Sequence, residues 1–134
     1  MANNSLHASG HNGAILAASN SSGVVDTYYD RIALNVFSAS SNERLGCYDD
    51  SSGPNAVLAE TGSITSTNGY NFRSLTEFAL TTTTVWLAMQ TEAAQDLYYQ
   101  SISRRFKVQA YGAFTTGGFS SDTNPMPNMK ISHS

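Results

Sequence analysis

Hydrophobic and polar residues alternate with a period of two along most of the chain. In "DRIALNVFS", residues 30–38, the apolar positions Ile32, Leu34 and Val36 share one face. In "TTVWLAMQT", residues 83–91, Val85, Leu87 and Met89 share a face. A third alternating stretch is "RFKVQAYGAF", residues 105–114. This spacing, with its β-branched and aromatic residues, predicts β-strands.

Shorter strand candidates fill the rest of the chain, separated by turn signals at Gly23 and in "SSGPN", "TNGY", "EAAQD", "TTGGF" and "NPMPN". The candidates are "GAILAAS", "RLGCY", "GSITST", "YNFRSLTEF", "DLYYQSI" and "NMKISH". Short strands at regular intervals predict an all-β chain: an antiparallel β-sandwich of jelly-roll-like topology with about eight strands. We expect residues 1–12 to form a flexible N-terminal arm and residues 13–134 to form a single sandwich domain. The arm, the C-terminal tail "NPMPNMKISHS", or both are expected to order against a neighbouring copy or a shell protein.

The stretch "RLGCYDDSSGPNAVLAE", residues 44–60, predicts a strand, a turn and a short helical turn or bend. Leu45 and Cys47 should face the core, and a glycine at position 46 indicates a close approach from a neighbouring strand. As the lone cysteine, Cys47 is interpreted as a buried structural thiol and not as a nucleophile. The other positions expected in the core are Ile32, Leu34, Val36, Ile64, Val85, Leu87 and Met89.

The same stretch carries a family resemblance. The order "RLG-x-Y-D-D-x-x-G-P", then "LAETGSI" and "WLAMQTE", preceded by "YYDRIALNV", resembles a β-sandwich domain of phage virion proteins. That domain occurs in tail-fibre and decoration-type components and in related extracellular bacterial proteins. The resemblance spans roughly residues 28 to 92. It implies a fold and a setting in a virion or outside a cell, and it brings no catalytic residues with it.

Composition fits such a setting. Only 13% of the 134 residues are charged, while Ser, Thr and Asn number 19, 13 and 11. The net charge of −3 indicates that nucleic acid is not a partner. The single basic cluster, Arg104, Arg105 and Lys107, is interpreted as a solvated strand face. "MANNSLHASGHNGAILAASN" has neither a signal-peptide pattern nor a membrane span, so no membrane partner is expected. With Met1 as the natural start, we expect the chain to fold in a cytoplasm although its surface is of the extracellular type. A virion protein meets both conditions, because it assembles inside the host and is then released by lysis.

Candidate chemistry is sparse. Asp49 and Asp50 in "DDSSGPN" are a weak calcium candidate, because clustered oxygens suit Ca²⁺ but the spacing is not that of an EF-hand. His7 and His11 have a zinc-compatible spacing without partner ligands. Pairing Glu60 with Glu77 or Glu92 would suit a glycosidase, but exposed strand carboxylates are the default interpretation. The sequence therefore predicts no catalytic residue, no cofactor and no resident metal.

Aromatic residues are the better candidates for binding. Tyr28, Tyr29, Tyr98, Tyr99 and Trp86 are predicted interface or glycan-contacting residues, since each Tyr-Tyr pair on a strand must point one ring outward. Two functions remain open. The first is a non-enzymatic virion structural protein, a capsid decoration or tail-fibre component, that forms homo-oligomers or docks on capsid or tail proteins. The second is an extracellular or cell-surface carbohydrate-binding module.

Overall fold

The computed structural model describes residues 7–9, 13–21 and 23–134, of which 7–9 are described by their backbone alone. This part of the chain is all-β and contains no helix, so none of its segments is a helix that could cross a membrane. It forms fourteen strands: β1 (His7–Ser9), β2 (Ala14–Asn20), β3 (Tyr28–Ser38), β4 (Asn42–Asp50), β5 (Pro54–Glu60), β6 (Ile64–Thr65), β7 (Gly69–Tyr70), β8 (Arg73–Ala79), β9 (Val85–Thr91), β10 (Asp96–Gln100), β11 (Arg104–Val108), β12 (Ser120–Asp122), β13 (Met126–Pro127) and β14 (Met129–Ser132).

The strands form two antiparallel sheets that pack face to face. Sheet 1 has the order β1-β10-β3-β14, with β7 and β8 on the other side of β3 and β13 beside β10. Sheet 2 has the order β12-β11-β2-β9-β4-β5, with β6 beside β4. The chain crosses between the sheets eight times, after β1, β2, β3, β6, β8, β9, β10 and β12. The predicted all-β antiparallel sandwich is confirmed, and its strands outnumber the expected eight because several are two or three residues long. The jelly-roll-like topology stays a prediction.

The core lies between the sheets and contains the apolar positions of the period-two pattern. Eight of the nine predicted core residues are buried, including Leu45 and Cys47, which are fully inaccessible. The ninth, Ile64, is half-buried because β6 is a two-residue strand that pairs with the start of β4. Burial raises the pKa of the Cys47 thiol, so this side chain remains protonated and inert.

The segment "AVLAE" is a strand, and its prediction as a helical turn or bend is wrong. It belongs to β5, which pairs with β4 from Asp50↔Pro54 to Gly46↔Glu60 through two irregularities in register. Ser52 and Gly53, both with positive φ, reverse the chain between the two strands. An extended β5 satisfies the backbone groups along the outer edge of β4, which a helical turn would leave unpaired.

The strand predicted over residues 105–114 ends early, at Val108. The following segment, residues 109–119, crosses the outer face of sheet 2 and covers it. Phe114 from this segment packs on Tyr48, with ring centroids 5.9 Å apart, and the Tyr48 hydroxyl donates to the Thr115 carbonyl at 2.9 Å. A second apolar cluster results: Ile15, Ala17, Tyr48, Trp86, Ala88 and Phe114. The central strands of sheet 2, β2 and β9, are therefore buried on both faces over most of their length.

The described part of the predicted arm is a strand. The backbone of β1 pairs with β10, from His7↔Tyr98 to Ser9↔Asp96, at one edge of sheet 1. Residues 1–6 and 10–12, including His11 of the predicted zinc pair, lie outside the described residues. The division into a flexible arm and a sandwich domain stays a prediction.

Candidate interaction surface

The two aspartates of the calcium candidate organise the β4–β5 hairpin. Asp49 Oδ1 accepts the Ala56 amide at 2.7 Å, and Asp50 Oδ1 accepts the Gly53 amide at 3.2 Å. The Trp86 indole nitrogen also donates to Asp50 Oδ1, at 3.0 Å. Each carboxylate thus replaces a missing backbone partner in the turn, which is an ordinary structural role for Asp next to a turn.

The tyrosine pairs behave as the alternation predicts, with one ring of each pair nearer the solvent. Tyr28 is 51% exposed, while Tyr29 packs on the core and against Phe78. Tyr99 is buried in the core, and Tyr98 is half-buried on the opposite face of β10. Tyr28 and Tyr98 remain accessible as interface or glycan candidates, whereas Tyr99 lies inside the subunit.

Trp86 is also inside the subunit. It belongs to the second apolar cluster on the outer side of sheet 2, and the Arg105 guanidinium lies over its ring at 5.4 Å from the centroid. Its indole nitrogen is occupied by Asp50. Segment 109–119 and Arg105 cover a face that periodicity alone marks as solvent-facing. A contact between Trp86 and a partner stays a prediction.

The basic cluster is not a solvated strand face. Arg104 is buried and makes a bidentate ion pair with Asp122, at 2.9 and 2.8 Å, which holds the Asp122 pKa below its ordinary value. Arg105 lies over Trp86, and Lys107 donates to the Thr116 carbonyl at 3.2 Å. All three cations therefore stabilise the fold through contacts within the chain.

The three glutamates considered for a glycosidase each contact different residues. Glu60 pairs with Arg44 at 3.1 Å and accepts the Phe114 amide at 2.9 Å. Glu92 accepts the Asn42 side-chain amide at 2.9 Å, and Glu77 contacts His133 at 2.7 Å. Each carboxylate has its own local partner.

A cavity of about 360 Å³ opens between the sheets beside the end of β2. Its floor is apolar, formed by Leu87, Met126 and Met129, and Ser19 and Gln100 contribute polar atoms at its wall. None of the described residues that line it is titratable. The cavity can accommodate an apolar group, and its described lining offers no acid, base or charged ligand for chemistry.

The outer face of sheet 1 presents the most distinctive surface, which we call the aromatic face: Phe37, Tyr70, Phe72 and Tyr98. Phe37 and Phe72 are 40% and 42% exposed. Tyr70 is paired with Asn35, and the register continues to Arg73↔Ile32, which places Phe72 opposite Ala33. Phe37 contacts Tyr98 edge-to-face, with centroids 5.3 Å apart. The rings therefore cover three neighbouring columns of the sheet: β7–β8, β3 and β10.

Polar groups fix the rings of the aromatic face. Lys130 from β14 places its Nζ 4.2 Å from the Tyr70 ring centroid, a cation–π contact across β3. Burial raises the pKa of the Tyr70 hydroxyl, and a hydrogen bond with the Asn35 side chain partly offsets this increase. Ala33 and Asn35, which point toward this outer face, are themselves buried. The result is a preformed surface of rings with Lys130 held against one of them.

A second apolar surface lies where β3 begins, and we call it the apolar turn: Val24, Val25 and Tyr28. Val24 is 68% exposed. The Thr27 amide donates to the Val24 carbonyl at 3.0 Å, and Asp26 adopts a positive φ of 70°. The backbone of the turn is bound to Leu80, which is buried, at 2.9 Å in both directions. Two valines are thus held at the tip of a rigid turn.

Sequence reasoning missed five members of these surfaces: Phe37, Tyr70, Phe72, Val24 and Val25. The signal for Phe37 was present, because it alternates with Ile32, Leu34 and Val36 and must face outward. The adjacent valines Val24 and Val25, just before Asp26 and Thr27, were also a signal of an apolar surface, since two β-branched apolar residues are uncommon in a turn.

Comparisons with protein-family models, with curated proteins and with solved structures return no match. The function is therefore inferred from the geometry of the surface.

Proposed function

We propose that this chain is a non-enzymatic structural protein of a virus particle, a capsid decoration or tail-fibre component, that associates with further copies of itself through the aromatic face. The observation that carries this proposal is the asymmetry of the sandwich. Sheet 2 has its outer face covered by segment 109–119, whereas sheet 1 leaves Phe37 and Phe72 partly exposed on its outer face.

The chemistry of the aromatic face is that of a subunit interface. Interface cores are enriched in aromatic residues and depleted in charge, and the cation among these rings, Lys130, is itself held against Tyr70. The rings are fixed by their neighbours before any partner binds, so association orders few side chains. The apolar turn extends the available apolar surface to the other end of β3.

Ring orientation favours a protein partner over a glycan on this face. Sugar rings stack on accessible aromatic faces, but Lys130 occupies a face of Tyr70, and Phe37 and Tyr98 stand at 86° to each other. Such a surface is uneven, and it suits the side chains of a protein partner better than a flat sugar ring. The carbohydrate-binding module remains the second candidate, supported by the half-buried Tyr98 and the exposed Tyr28.

The buried thiol of Cys47 and the uncharged described lining of the cavity favour a non-enzymatic role. Cys47 is buried, with its pKa raised, and the described lining of the cavity between the sheets is uncharged. Virion location and a capsid or tail partner depend on the resemblance of residues 28 to 92 to phage virion domains.

Substitution on the aromatic face tests the proposal. Phe37→Ser with Phe72→Ser should lower self-association by at least about tenfold, because loss of well-packed aromatic interface residues costs more than about 1 kcal/mol each. Sedimentation velocity over a concentration series measures this. The matched control is Val108→Ser, which changes a 77% exposed apolar residue outside the face and should leave association unchanged.

Two results would contradict the proposal. One is a wild-type protein that stays monomeric across the whole concentration series. The other is equal weakening by Val108→Ser and by the double variant. A glycan-array signal that depends on Tyr98 in a monomeric protein would instead establish the carbohydrate-binding function.

A further inference from the structure

Three metal-ligating side chains meet at one end of sheet 1. They come from three adjacent elements: Asp30 from β3, Glu77 from β8, and His133, which follows β14. One ligand atom from each side chain lies within 4.8 Å of the other two. The cluster lies outside the aromatic face and shares no residue with the calcium candidate or with His7 and His11.

Strand pairing explains why these residues converge. β14 runs antiparallel to β3 with Ser132 opposite Arg31, so the next residue, His133, lies next to Asp30. On the other side of β3, the register shifts between Tyr29↔Phe78 and Arg31↔Ser74. This irregularity leaves three residues of β8 opposite the single Asp30, and Glu77 is among them. Bulges re-aim side chains in this way.

Contacts within the cluster orient its donor atoms. His133 Nε2 and Glu77 Oε2 are 2.7 Å apart, so the imidazole nitrogen and the carboxylate already point at each other. Asp30 accepts the Ser134 amide at 2.8 Å and the Ser134 hydroxyl at 2.7 Å. A carboxylate has about four lone-pair positions, so each Asp30 oxygen retains one for a further ligand.

We propose that Asp30, Glu77 and His133 form a zinc-binding site at this end of sheet 1. Zn²⁺ accepts imidazole nitrogen and carboxylate oxygen at about 2.0–2.2 Å, which separates tetrahedral ligand atoms by about 3.4 Å. Small rotations of the exposed Glu77 and His133 side chains suffice to reach that spacing, with the metal replacing the hydrogen between Nε2 and Oε2. The nitrogen donor favours Zn²⁺ over Ca²⁺ and Mg²⁺, which prefer oxygen. Two carboxylates offset the charge of the dication.

Calorimetric titration of the full chain, without any affinity tag, with ZnCl₂ tests the site. We expect equimolar binding that His133→Ala and Glu77→Gln each weaken at least about tenfold, as loss of a metal-site residue does. The matched control replaces the other two zinc-compatible histidines, His7→Ala with His11→Ala, and should bind as tightly as the wild type. Circular dichroism of each variant verifies that the fold is retained.

Each alternative outcome overturns the proposal. Wild-type protein that binds Zn²⁺ no more tightly than His133→Ala has no site here. Loss of binding in the His7/His11 variant would place the ligands in the N-terminal segment. If the protein bound Ca²⁺ or Mg²⁺ as tightly as Zn²⁺, the His133 imidazole would not be a ligand of the metal. None of these results bears on self-association through the aromatic face.

Discussion

At the scale of single residues, polar side chains inside this sandwich are organised by a few neighbours. Glu43 is buried, accepts the Ser66 hydroxyl at 2.6 Å, and has Arg73 Nε 3.8 Å away. Gln95 donates to the same Ser66 oxygen at 2.9 Å, so the three polar residues form one network between the sheets. Ser66 cannot fully replace water around a carboxylate, and the burial of Glu43 raises its pKa.

The raised pKa of Glu43 makes stability depend on pH. The folded protein holds this proton more tightly than the unfolded chain does, so Glu43 favours folding at low pH. That contribution is lost as the pH rises through the folded-state pKa. We therefore expect the wild type to lose free energy of unfolding relative to Glu43→Gln as the pH rises from about 4.3, the ordinary pKa of a glutamate, through the higher folded-state pKa.

Urea unfolding at several pH values measures the Glu43 effect. The exposed Glu92→Gln is the matched control and should follow the wild-type profile. A Glu43→Gln variant whose stability relative to the wild type is constant with pH would show that the buried carboxylate does not titrate in this window.

At the scale of elements, segment 109–119 decides which sheet face is covered. Its Phe114 ring reaches sheet 2 because position 46 has no side chain. A Cβ there would lie 2.8 Å from the Phe114 ring and 2.8 Å from the Ala59 carbonyl oxygen. The glycine that interrupts "RLGCY" thus permits the close approach that its position predicts, and it couples β4, β5 and the covering segment.

Gly46→Ala should displace the covering segment. We expect it to lower the free energy of unfolding by about 1–3 kcal/mol, the usual cost of overpacking. Thermal and urea unfolding measure the loss. The control is Gly112→Ala in the same segment, where an added Cβ meets only the Ala110 carbonyl oxygen, at 3.8 Å. If both variants are as stable as the wild type, Phe114 does not depend on Gly46.

At the scale of the whole molecule, periodicity predicted the architecture and most of the core. Ile32, Leu34 and Val36 are buried because one alternating face of a strand must avoid water. The same rule could not predict that Tyr48 and Trp86, on the other face, are also buried. Their cover comes from residues distant in the sequence, in segment 109–119, which follows the strand that ends at Val108.

The prediction of surface residues had the same limit, because local alternation is visible in the sequence and long-range pairing is not. Alternation required one ring of the pair Tyr98 and Tyr99 to point outward without saying which, and on β10 that ring is Tyr98. It gave no means of finding the proposed zinc cluster, since Asp30, Glu77 and His133 are far apart in the sequence and meet through an irregular register. Long-range pairing and irregular register are properties of the fold that no local window of sequence contains.

Cross-linking through one introduced cysteine tests most directly whether copies meet at the aromatic face. Cys47 is fully buried, so a cysteine placed by Phe72→Cys is the accessible thiol among the described residues. Under mild oxidation at concentrations where the protein associates, the account predicts a disulfide-linked dimer of Phe72→Cys and no such dimer of Val108→Cys. Equal cross-linking of both variants, or a dimer from Val108→Cys alone, would contradict the account.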